Sequence, residues 1–110
     1  MPGSHLMWAV RGWQSRALSD WGRWAEAAVA ADDSISLMPT FGWSHVAKAR
    51  CCVELGQDAE AHRHIETARR LDFDLAQMER VWRRASVFSP QLEADIAIIR
   101  GLYAASEPRA

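Results

Sequence analysis

The sequence predicts an all-α fold, an array of antiparallel helix pairs with about six helices, and three observations carry that prediction. Glycine and proline cut the 110 residues into pieces of helix length. Those pieces place apolar residues at helical spacing, and none shows the period-two alternation of a strand. A block of residues also recurs at a fixed offset of 34.

The helices follow in order. The first spans Leu6 to about Asp20, and Gly22 ends it. The second spans Trp24–Leu37; Ala25, Ala27, Ala28, Ala30 and Ala31 give it high helix propensity, and Pro39 stops it. Trp43–Leu55 is the third, closed by Gly56. Asp58–Leu71 is the fourth, with Asp58 as expected N-cap and Ala61, Ile65 and Ala68 as its buried stripe. Leu75 to about Val87 is the fifth, with Leu75, Met78, Val81, Trp82 and Ala85 at helical spacing. Ser89-Pro90 reads as N-cap and first-turn proline of the sixth, about Gln91–Ala104, which buries Leu92, Ile96, Ile99 and Tyr103. Short links between helices of this length imply antiparallel neighbours. Residues 1–5, with Gly3-Ser4-His5, read as an expression scar, residues 6–104 as a single domain, and residues 105–110 as a disordered tail.

Composition narrows the function classes. The net charge of −1 gives no global field to attract nucleic acid or an anionic membrane. No apolar run approaches the roughly 20 residues of a membrane-spanning helix, and the N-terminus lacks the pattern of a signal peptide. Cys51 and Cys52 are adjacent, so they form neither a disulfide within a helix nor a metal-binding spacing. That favours a reducing compartment, and the expected location is the cytoplasm.

The recurring block is specific. Gly22-Arg-Trp-Ala25-Glu26-Ala27 aligns with Gly56-Gln-Asp-Ala59-Glu60-Ala61, Leu37 with Leu71, Arg16 with Arg50, and Asp20 with Glu54. Glycine permits the bend between two helices, and the alanine after the glutamate allows them to approach closely. On these residues the chain resembles the tetratricopeptide repeat family, whose period is 34 residues. Repeats would cover about 8–41 and 42–75, with a closing helix pair at 76–104. The resemblance implies a right-handed superhelical array that binds a peptide in a concave groove. The family pattern is broken where its second-helix aromatic becomes Ala31 and Ile65, and where its closing proline becomes Phe73.

Arg16, Arg50 and Arg84 stand at equal intervals, in the same slot of the first helix of each pair. The resemblance implies that this slot faces the groove. A column of guanidinium groups suits a ligand carboxylate or phosphate, or else bridges adjacent repeats. Asp20 and Glu54, four residues on, are placed to neutralise Arg16 and Arg50. Trp43, Val46 and Val53 are expected to add apolar area to the groove, and Arg80 to join Arg84 there. The family's chaperone-tail clamp is not expected, because its slots hold Gly12, Arg16, Ala47, Gln77 and Val81.

The C-terminal part is similar to the last segment of the tetratricopeptide regions of bacterial class III adenylate/guanylate cyclases and winged-helix regulators. The residues that carry this are Ala68-Arg-Arg-Leu-Asp72, Arg80, Trp82-Arg-Arg84, Phe88-Ser-Pro90 and Ile99-Arg-Gly-Leu102. The resemblance implies a signalling context without placing a cyclase site here.

Catalysis has little support. His62 and His64 diverge on their helix, and His45, His62 and His64 read as solvated. No phosphate loop, nucleophile motif, cofactor or metal set is expected. Five of the six tryptophans fall within the first 43 residues. A short array leaves its first helix uncovered, so Trp8, Trp13 and Trp21 are expected to mediate self-association as a homodimer. The expected function is a non-catalytic scaffold that binds a protein or peptide. The alternatives are a regulatory or dimerising module of a cyclase or transcription regulator, and an RNA-binding array using Arg69, Arg70, Arg80, Arg83 and Arg84.

Overall fold

The computed structural model describes residues 6–86 and 89–107. The expected scar at 1–5, Val87 and Phe88, and the tail at 108–110 lie outside those residues. Six α-helices follow in order: α1 (Met7–Asp20), α2 (Trp24–Leu37), α3 (Gly42–Glu54), α4 (Asp58–Arg70), α5 (Leu75–Ala85) and α6 (Leu92–Ala105). No strand occurs among the described residues.

The repeated turn is real at the backbone. Gly22 and Gly56 both take φ +74°, a conformation that costs glycine nothing. Arg23 N–H donates to Leu18 O at 2.9 Å, and Gln57 N–H to Cys52 O at 2.8 Å, closing both helices in the same way. The link after α4 reproduces this with Asp72 at φ +56° and Phe73 N–H bonded to Ala68 O at 3.1 Å.

Several helix starts differ from expectation. Asp58 is the first residue of α4 rather than its cap, and Gln57 holds that position. Asp74 caps α5, accepting from Gln77 N–H at 3.0 Å. Ser89 Oγ accepts from Gln91 N–H in the turn before α6, which begins at Leu92 with Gln91, not Ser89, in the cap position. At the other end, α6 runs to Ala105, and Arg69 Nε donates to Ser106 Oγ at 2.9 Å.

Small side chains set the packing of the first helices. Ala27, Ala28, Ala30 and Ala31 of α2 are buried, as are Ser15 and Ser19 of α1. Ser15 Oγ donates to Ala27 O at 2.8 Å, and Ser34 Oγ to Trp8 O at 2.6 Å. A Cβ on Gly12 would stand 3.1 Å from the Phe41 ring, and one on Gly42 3.0 Å from the Phe73 ring. Both glycines therefore let an aromatic side chain from the link that follows their helix pair settle onto the helix. In turn, α2 packs on α3, and α3 pairs with α4.

The last pair attaches differently. It is α6, not α5, that packs most closely on α3 and α4. Met78 and Trp82 of α5 bridge the wider gap and join a core of Val46, Ile65, Ile96, Ile99 and Tyr103. The expected buried stripe of α5 is narrower than its spacing suggested, since Ala85 is exposed and Val81 only half-buried.

Candidate functional site

Arg16 and Arg50 are the expected ligand-facing residues, and the structure puts both in the interior. Their exposures are 5% and 2%, and that of Asp95 is 0%. Asp95 stands in the first turn of α6 and takes both arginines at once. Arg50 Nε donates to Asp95 Oδ1 at 2.6 Å. Arg16 Nη1 lies 2.7 Å from Asp95 Oδ2, as an ion pair off the hydrogen-bonding direction. Each arginine also holds the acid four residues on: Arg16 pairs with Asp20, and Arg50 Nη2 donates to Glu54 Oε1 at 2.8 Å. Ser86 closes the set, accepting from Arg16 Nε at 3.3 Å and donating to Asp20 Oδ2 at 3.0 Å.

Flat faces complete the cradle. The Arg16 guanidinium lies 4.2 Å from the Trp82 ring centroid, and that of Arg50 4.3 Å from Trp24. Cations on aromatic faces are stabilised most where water is excluded. The expected column is thus corrected in two respects. Its carboxylate is the chain's own Asp95, and it contains two arginines rather than three. Arg84 is exposed on α5, beside Gln77, Arg80 and Val81.

The other expected groove residues divide. Val46 is fully buried, so it is core rather than groove surface. Val53 and Trp43 are half-buried and pack on the same core. Arg80 is exposed. Of the basic cluster, Arg69 is engaged by Tyr103 O and Ser106, and Arg83 pairs with Glu93.

The tryptophans of the first helix also divide. Trp8 is half-buried, edge-on to Phe41 at 4.6 Å. Trp13 is half-exposed beside Trp43, with ring centroids 6.0 Å apart. Trp21 is 83% exposed. Along α1, Leu6, Val10 and Trp13 are 55%, 47% and 46% exposed. Together with Ala9, Gln14 and Ala17 they line an open groove without a charged residue. A second groove, lined by Ala17, Leu18, Val29 and Ala30, continues it between α1 and α2, with Arg11, Glu26 and Asp33 also on its walls.

Sequence reasoning missed two polar features. Asp95 was legible in principle, because it lies on the buried side of α6 between Leu92 and Ile99. The second is a histidine pair, which corrects the expectation that these histidines are solvated. His62 is exposed, but His45 is buried, and its Nδ1 lies 3.1 Å from His64 Nδ1. The Pro39 carbonyl, 2.8 Å from His45 Nε2, can only accept. Neutral His45 therefore carries its hydrogen at Nε2 and accepts at Nδ1 from His64. Burial, with His45 and Lys48 nearby, lowers the His64 pKa to about 4. Burial raises the thiol pKa of Cys51 and of Cys52, so both are poor nucleophiles.

Among the described residues, no group of three or more histidine, cysteine or acidic side chains is placed to hold a metal. Nor is any helix long and apolar enough to cross a membrane. Comparison with protein families, with curated proteins and with solved structures finds no match.

Proposed function

We propose that this chain is a non-catalytic protein-interaction module built on tetratricopeptide-like helix pairs, and that it meets its partner through the outer face of α1. The single observation that carries this is the uncharged stripe of Leu6, Val10, Trp13 and Ala17, all exposed along one side of the helix. A contiguous apolar strip of this kind costs solubility unless something covers it. Partly exposed tryptophan supplies large contact area at small entropic cost, which is why it anchors interfaces. The arginine pair is engaged inside the fold, which takes both guanidinium groups away from the surface.

Photo-crosslinking in cells tests the reading. A photoreactive phenylalanine analogue in place of Trp13 is expected to yield discrete protein adducts, and Val10→Glu to remove them. Adducts that are absent, or that survive Val10→Glu, count against it.

A further inference from the structure

We propose that the outer face of α1 is a docking site for one α-helix of a partner protein, seated as α2 is seated on α3. This rests on the reading of α1 as the interaction surface and adds what occupies it. The internal repeat places a helix there. Ser44, Lys48 and Cys51 are the residues of α3 that meet α2. Ser44 Oγ lies 2.5 Å from Ser34 Oγ, Lys48 Nζ donates to Asp32 at 2.6 Å, and Cys51 packs on Ala27 and Ala28. Shifted back by the 34-residue offset, these positions are Val10, Gln14 and Ala17. All three are exposed and line the groove on α1. Gln14 and Ala17 also line the groove that continues between α1 and α2. The same face of the first helix is therefore filled by a helix in the second pair and open in the first.

The substitutions state what the incoming helix carries. Small residues stand where α2 presents Ala27 and Ala28, so that the incoming helix approaches α1 as closely as α2 approaches α3. Gln14 replaces Lys48, so the residue in the place of Asp32 is neutral; an acid there would lose its ion pair. Val10 replaces Ser44, so the residue in the place of Ser34 is apolar, because a hydroxyl there would lose its partner. A second copy does not offer such a helix in this register: Ala27 and Ala28 of α2 are buried within the chain, α4 carries Glu66 in the place of Asp32, and α6 carries buried Asp95 and Ile96 in the places of Ala27 and Ala28 and Arg100 in the place of Asp32.

The test builds the occupant into the protein. A copy of residues 24–41, carrying Asp32→Gln and Ser34→Ala, is joined directly ahead of Trp8, which is the register of Phe41 to Gly42. The thermal midpoint is expected to rise by roughly 5 °C or more, the shift of about 1 kcal/mol or more in a domain of this size. Amide exchange along α1 is expected to slow. Val10→Glu is expected to cancel that gain while moving the natural chain's midpoint little. No gain, or a gain that survives Val10→Glu, overturns the seating. Light scattering on the natural chain is expected to give a monomer; a dimer broken by Val10→Glu assigns the face to a second copy and overturns the partner helix. A graft that docks while the crosslinking yields no adduct keeps the geometry and removes the functional reading, so the two failures are distinct.

Discussion

The first helix pair with its seam to α3 and the last helix pair face the same packing problem with different side chains. In α1 to α3 the contacts are made by alanine, serine and cysteine, backbones lie close, and serine hydroxyls bond across to carbonyls. In α5 and α6 they are made by Met78, Trp82, Ile96, Ile99 and Tyr103, with a buried acid among them. The difference shows that an equal slot in a repeat does not give an equal environment. Arg16 and Arg50 gain a partner because α6 brings Asp95 to them. Arg84 belongs to the pair that supplies the acid and stays at the surface.

That contrast is broken most severely by removing the acid. Asp95→Ala leaves two buried guanidinium groups short of a partner and is expected to cost about 3–5 kcal/mol, read as a lower urea midpoint. A cavity in the closing pair comes next: Met78 is fully buried, and Met78→Ala is expected to cost ~2–5 kcal/mol. The α3–α4 seam is sharpened by pH. His64 has a folded pKa of about 4, below its ordinary 6.5. The unfolded chain therefore binds a proton that the folded one refuses between those values. Stability is full above pH 6.5 and is expected to fall, by at most about 3 kcal/mol, as pH drops towards 4. His64→Gln is expected to flatten that decline in denaturant titrations. The close-packed region is probed by filling it. Ala31 is fully buried, and Ala31→Leu is expected to cost about 1–3 kcal/mol by overpacking. Arg84→Ala, at the third position of the arginine series, is expected to fall within about 0.5 kcal/mol of the parent chain.

The six helices were legible because glycine and proline mark their ends and the 34-residue block repeats the turn glycines. The i, i+4 pairing of Arg16 with Asp20 and of Arg50 with Glu54 was legible for the same reason, since helical spacing alone puts those groups within reach. What occupies the arginines was not legible. Asp95 lies 45 residues from Arg50 in the chain; helical spacing puts it on the buried side of α6, but only the packing of α6 decides that it meets the arginines. The His45–His64 contact is hidden likewise, because it joins two helices through side chains that each look solvated on their own. The open face of α1 was foreseen from the tryptophans, but its residues shifted. Trp8 turned inward to Phe41, while Val10 and Leu6, ordinary apolar residues in the sequence, form much of the exposed stripe.

The repeated arginines Arg16 and Arg50 serve the fold by gripping Asp95. A double-mutant cycle with Arg50→Met and Asp95→Leu tests it directly. Asp95→Leu leaves Arg50 to Glu54 and Arg16 to Asp20, Arg50→Met leaves Asp95 to Arg16 alone, and the double change removes the Arg50–Asp95 pair. The two single losses are predicted to exceed the loss in the double variant by about 2 kcal/mol or more. Losses that add to within about 0.5 kcal/mol would contradict the claim.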